Sequence, residues 1–415
     1  MLLGLYLERY YLVTVLSPFP HILEKYQITA SQLEFIASVN SLAGVVLFIP
    51  ILGGLMMTKH GMNKIGLIAI VTILLGCILL PIAFLKINGK ENHFYTYWMI
   101  LLCQFISGSG TVLGMGFVLR MILHWFRGEM YAKVMGIISA GLRAGVFVGL
   151  FFGPLINSAI GWPAPLIAPL ILAILTFILF LYYRYKSDYI GKIHPQYHPK
   201  TAISGNSLFD LMVILKSVLR RPRFWLYSVI ILSFYGTIYS FLIIAPTYIH
   251  QCYGVPIRMA SSYSSIIPFM SIFITPIVGL FNGKMGYSLT VSCIGAIFLF
   301  CGFMLLLPQS GFFVPIILLG LGLSIGSLSL WLVIANDFHR NHYSVASGAL
   351  FWFLNFSLWI VPIFVGLIVK GPLSNKYSIH EAVEFLVFFS FFPAVFQLLL
   401  FYINSKKKLG LNMKK

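Results

Sequence analysis

Twelve times along this chain a run of about 20 apolar residues is interrupted by only a few polar ones, and no other feature limits the fold as strongly. The runs cover residues 3–23, 32–57, 65–87, 95–123, 132–156, 164–185, 224–250, 259–281, 288–307, 312–336, 344–369 and 381–404. Each is long enough to cross a bilayer as a helix. Helix is also the form forced on them, because an open strand edge in hydrocarbon leaves its N–H and C=O groups without partners. Charge points the same way: 9% of the 415 residues are Asp, Glu, Lys or Arg, against roughly 25% in soluble domains. The expected fold class is an all-α integral membrane protein with twelve transmembrane helices.

The net charge of +18 is spread over the short connectors between the runs. A nucleic-acid binder gathers its basic residues on one soluble face, so anionic lipid headgroups are the expected partner and nucleic acid is not. With the amino terminus placed in the cytoplasm, the inner connectors, helix ends and tail carry 20 Lys and Arg and the outer connectors carry six. That bias predicts that both termini are cytoplasmic. The polar stretch 186–223 separates six runs from six, giving an expected bundle at 1–185, a central cytoplasmic loop at 186–223, a second bundle at 224–404 and a basic tail at 405–415. The first run holds Glu8 and Arg9, lacks an A-x-A site and is followed at once by another span, so it is expected to be retained. The five cysteines (Cys77, Cys103, Cys252, Cys293 and Cys301) are odd in number, form no CxxC pair and predict neither disulfide nor metal site.

The chain repeats itself. Between the second and third runs lies a short basic segment carrying Gly54, Thr58, Lys59 and Gly61, expected to be a turn. Its pattern returns 225 residues later as Gly279, Gly283, Lys284 and Gly286, and Pro50 and Pro276 precede the two copies. Gly108 and Gly110 in the fourth run likewise sit 212 residues before Gly320 and Gly322 in the tenth, and Gly136 sits 212 before Gly348. A pattern recurring at half the chain length between equivalent runs signals an internal duplication.

Together with the six-plus-six layout and Trp125-Phe-Arg-Gly-Glu129 leading into the fifth run, these features resemble the major facilitator superfamily over essentially the whole chain. The resemblance implies two pseudo-symmetric six-helix bundles that rock about a central site. It also marks departures. Thr58-Lys59 and Gly283-Lys284 stand where the family usually has aspartate then arginine, and Gln104 stands where its fourth helix usually opens on arginine. A gating lock built on the missing carboxylate is not expected, and Lys59 and Lys284 are expected mainly to anchor the cytoplasmic face. Ser17-Pro-Phe-Pro20, Ile28-Thr-Ala-Ser-Gln32, Ala245-Pro-Thr-Tyr248 and Tyr253-Gly254 look similar to the phagosomal nutrient transporters of intracellular bacteria, thought to import amino acids. That similarity implies a bacterial inner membrane.

Arg143 is the sharpest chemical signal. It lies about eleven residues into the fifth run, where an ionised side chain costs at least ~2.5 kcal/mol. The functional reading is a guanidinium fork for a substrate carboxylate; the alternative is an arginine paired with backbone carbonyls. All ten acids lie away from mid-membrane, so the sequence supplies Arg143 no evident partner unless Glu8 or Glu34 reaches inward. Glu8 either snorkels to the interface or carries a coupling proton. In the implied fold, cavity-lining helices nominate Tyr10, Tyr11, Asn40, Gln104, Tyr235, Tyr239, Trp331 and Asn355 as substrate-binding candidates, against the plainer reading of each, taken alone, as a packing or interface residue. His194 and His198 lack Cys or acid neighbours and make a poor metal site. The expected protein is a monomeric transporter of a small carboxylate-bearing nutrient, an amino acid first, without cofactor. Efflux is the first alternative, and a non-transporting membrane sensor is the alternative of another class.

Overall fold

The computed structural model describes residues 30–84, 93–126, 129–161, 164–193, 208–338, 340–369, 376–407 and 411. The first run, with Glu8, Tyr10 and Tyr11, lies outside the described residues, as do positions 194–207 and most of the tail. Every regular described element is helical: α1 Ala30–Val46, α2 Ile49–His60, α3 Met62–Ile82, α4 His93–Trp125, α5 Glu129–Ile160, α6 Ile167–Ile193, α7 Leu208–Leu219, α8 Pro222–Tyr253, α9 Ile257–Ser264, α10 Ile266–Met285, α11 Ser288–Met304, α12 Phe313–Asp337, α13 Arg340–Ile368 and α14 Lys376–Lys407, with one 3-10 turn, Ala164–Leu166, before α6. Among the described residues, nine spans are long and apolar enough to cross a membrane, and Gln32–Val46 and Ser288–Met304 are shorter apolar helices.

Two predicted runs are broken, each four residues before a proline. A proline ring collides with the carbonyl four residues earlier and lacks the N–H that would bond it. Hence α1 stops at Val46, ahead of Pro50, and α9 stops at Ser264, ahead of Pro268. At the first break Phe48 takes a left-handed conformation (φ 48°), and its ring stacks on Trp352 of α13 at 5.9 Å. The Val45 carbonyl at the break accepts Trp352 Nε1–H at 3.1 Å.

The basic segments are not the turns that their polarity suggests. Gly54, Thr58 and Lys59 lie within α2, and Gly279, Gly283 and Lys284 within α10. Thr, Lys and Met are tolerated in a helix, so each joint contracts to the glycine with positive φ: Gly61 (88°) between α2 and α3, and Gly286 (78°) capping α10 with its N–H on the Asn282 carbonyl at 3.0 Å. The segment 186–223 is not a loop throughout either. The sixth helix continues to Ile193, and α7 packs against α13 and α8 with Val218 fully buried, because apolar residues spaced three and four apart give it one sticky face.

The repeat becomes crosswise packing. The helices α4 and α12 play matching parts: Gly108 and Gly110 bring α4 against α1 and α3, and Gly320 and Gly322 bring α12 against α10 and α11. Two long seams join the repeats, α1/α2 with α13 and α5 with α10. In one, Gly348 of α13 lies over the Pro50 carbonyl; in the other, Gly136 of α5 lies over Pro276. The glycines are repeat equivalents, and so are the prolines. Tyr131 at the start of α5 and Tyr343 at the start of α13 are also equivalents, 212 residues apart, and their hydroxyls hydrogen-bond to each other at 3.0 Å. A residue bonded to its own equivalent lies on the pseudo-two-fold axis. At the same end of the molecule Asp337 closes α12, paired with Arg223 and accepting from the Tyr227 hydroxyl of α8 at 3.1 Å.

Candidate functional site

Helices of both repeats wall a cavity deep in the fold, about 530 Å³ counting the part open to solvent. Arg143 enters it from the middle of the apolar span Met130–Ile160 and is only 2% exposed. One guanidinium nitrogen, Nη1, donates to the Tyr239 hydroxyl of α8, and Nη2 donates to Ser327 Oγ of α12 at 3.0 Å. The Ser327 hydroxyl spends its proton on the Leu323 carbonyl at 2.6 Å, which leaves its oxygen turned to the arginine as an acceptor. The Tyr239 ring also lies 5.6 Å from the guanidinium carbon. So an arginine of the first repeat is held by two hydroxyls of the second.

One helical turn along α8 and α12 the chemistry changes. Tyr235 is four residues before Tyr239 and Trp331 four after Ser327. Because the two helices run in opposite directions, both steps lead to the same level. There Trp331 Nε1 donates to the Tyr235 hydroxyl at 2.8 Å, and the Trp331 ring stacks on Phe351 of α13 at 4.3 Å and 14°. Tyr235 and Tyr239 stack at 6.2 Å, linking the two levels. Met115, Met135, Ile138 and Leu354 fill most of the remaining wall, and Ser139, one turn from Arg143, adds a hydroxyl.

The structure thus brings Arg143, Tyr235, Tyr239 and Trp331 together in one cavity. It does not bring Asn40, Gln104 and Asn355 there. Asn40 Nδ2 donates to Gln104 Oε1 at 3.2 Å and reaches Ser107 at 3.4 Å, so the first two tie α1 to α4 in a buried contact. Asn355 Nδ2 bonds the Phe351 carbonyl of its own helix at 2.8 Å and faces Gly44 in the α1–α13 seam. Helix number alone nominated these three; α4 and α13 line the cavity but turn Gln104 and Asn355 away from it, and α1, which carries Asn40, contributes none of its lining. Ser327, Ser139 and Phe351 were missed, although the two serines stand one turn from a nominated residue on the same helical face. Thr58 and Lys59 have described backbone only, and Lys284 is exposed at the end of α10.

A cavity walled by both repeats of an all-helical membrane fold, with a buried cation at its centre, is the architecture of a membrane transporter. The model of the Major Facilitator Superfamily matches residues 2–362, and the chain belongs to that family. The solved structure of the proton:xylose symporter XylE bound to 6-bromo-6-deoxy-D-glucose superposes over 98% of this chain and 94% of its own, with TM-score 0.68 and 14% identity, a likeness of fold alone. Among curated proteins, the lysosomal dipeptide transporter MFSD1 of Pongo abelii and that of Homo sapiens are each 25% identical over 148 residues, 35% of this chain. The match spans about a third (32%) of the length of those relatives. The fold is the family's twelve-helix arrangement in two six-helix bundles.

Proposed function

We propose that this protein is a secondary or facilitative transporter that moves a small carboxylate-bearing nutrient, amino acids first, by alternating access. The observation that carries the reading is Arg143, a guanidinium at mid-span whose two arms end on neutral hydroxyls of the opposite repeat. A carboxylate that takes over those arms gains charge-assisted hydrogen bonds, about twice as strong as neutral ones. It also joins the two halves through one ligand, which is what couples binding to rocking. The partial likeness to a dipeptide transporter supports a substrate with a carboxylate. The basic bias of the connectors supports an orientation with both termini in the cytoplasm, and the nutrient-transporter resemblance supports a bacterial inner membrane. A proton is the proposed coupling ion, with Glu8 as its carrier.

The test is uptake of labelled amino acids into proteoliposomes, with extrusion of a dye followed in the same vesicles. Arg143→Lys keeps the charge but loses the fork, and Arg143→Ala loses both. Each is expected to lower uptake at least about tenfold, the effect of losing roughly 1.4 kcal/mol of binding, while elution of the purified protein is unchanged. Uptake that survives both substitutions overturns the carboxylate reading. Dye extrusion without amino-acid uptake favours efflux, and no flux of either kind favours a sensor. A pH gradient that drives uptake in wild type but not in Glu8→Gln supports the coupling assignment.

A further inference from the structure

The two levels of the cavity go beyond a preference for carboxylates. Among the described residues lining it, Arg143 is the one charged group, and it sits at the hydroxyl level with Tyr239 and Ser327. One turn away, about 5.4 Å along the helices, the wall is Tyr235, Trp331 and Phe351. The Trp331 indole N–H is spent on the Tyr235 hydroxyl at 2.8 Å, so apart from that one hydroxyl the level turns ring surface to the cavity. A substrate whose carboxylate sits on Arg143 therefore places its body, one turn on, against aromatic faces.

We infer that the substrates are small carboxylates with an apolar or aromatic body, hydrophobic amino acids being the nutrient members of that class. The inference rests on the carboxylate role of Arg143 proposed above and adds what the rest of the molecule must be. Apolar and aromatic bodies gain from burial and from ring stacking. Hydroxylated or charged bodies lose their water there and meet rings in exchange, which is costly for any polar group left unpaired. Sugars are the extreme case. A site that selects a sugar pairs its hydroxyls with hydrogen-bonding groups, and among the described residues this level has one hydroxyl, Tyr235, and an indole N–H already spent on it.

The experiment is equilibrium binding to purified full-length protein in detergent, using phenylalanine, leucine, alanine, serine, glutamate and xylose as probes. Phenylalanine and leucine are expected to bind at least about tenfold more tightly than serine and glutamate, with xylose not detected. Trp331→Leu and, independently, Phe351→Leu are expected to weaken phenylalanine about tenfold while alanine stays within about twofold. Two substitutions are used so that misfolding of one, read from the unliganded melting temperature, leaves the other to decide. Serine or glutamate binding as tightly as phenylalanine, with Arg143→Lys abolishing both, overturns the apolar-body inference and leaves the carboxylate role standing. Binding of any of these amino acids that Arg143→Lys does not change, or no binding of any of them, overturns both.

Discussion

The two seams that join the repeats are built from equivalent residues yet bend at different places. In the α5–α10 seam, Pro276 is absorbed into an unbroken helix, and the break falls at Ser265, well before it. In the α1/α2–α13 seam, the equivalent proline, Pro50, is itself the breaker, and the gap at Leu47–Phe48 is filled by Trp352 from across the interface. Fit differs too. A Cβ added at Gly348 would lie 2.7 Å from the Pro50 carbonyl oxygen, whereas one at Gly136 would lie 3.2 Å from its nearest neighbours on Pro276 and Thr275. Duplication supplied one seam twice. Proline position then made one a jointed contact stapled by tryptophan and the other a continuous rail.

Paired substitutions probe that difference, the larger expected effect of each pair first. Gly348→Ala should cost about 1–3 kcal/mol, the usual range for overpacking, because the obstacle is backbone oxygen. Gly136→Ala should cost well under half of that; equal losses in melting temperature would mean that the seams are equally tight. Pro50→Ala should let α1 and α2 join, remove the Trp352 staple and weaken the contact by about 1–2 kcal/mol, one hydrogen bond plus one aromatic stack. Pro276→Ala should leave the contact unchanged, and spin-label distances across the basic ends of α5 and α13 would report either outcome. Tyr131→Phe and Tyr343→Phe should each cost about 1 kcal/mol, the net worth of a hydrogen bond. The double substitution should cost little more than either single one, which a double-mutant cycle reads directly. Thr58→Asp is expected to change transport rate less than about twofold, well below a 1.4 kcal/mol effect; a large drop with intact folding would restore the acid lock that the hinges lack.

Much of this architecture was legible in the sequence. The eleven later runs appear as helices, nine of them long and apolar enough to cross a membrane among the described residues and two shorter, because the need to satisfy backbone groups in lipid leaves them no other form, and the offset of 212 that aligned Gly136 with Gly348 proved to be the spacing of two hydrogen-bonded tyrosines. What was not legible depends on direction around a helix. Arg143, Tyr235, Tyr239 and Trp331 converge, while Asn40 and Gln104 bond to each other, because residue type and helix number do not fix the side a polar group faces. The break before Pro50 was readable in principle from the carbonyl four residues back. The continuity of α10 through Pro276 was not, since membrane helices often absorb a proline when their neighbours satisfy the freed groups.

The meeting of Tyr131 with Tyr343 has a consequence of a mechanical kind. A point on a two-fold axis keeps its separation when the two bodies twist about that axis, and loses it when they tilt apart. The tyrosine pair is therefore blind to torsion between the halves and responds fully to their inclination, with each half contributing the same displacement. Labels placed beside these two positions would act as an inclinometer for the molecule, reading the opening of one face with the twisting motion already cancelled.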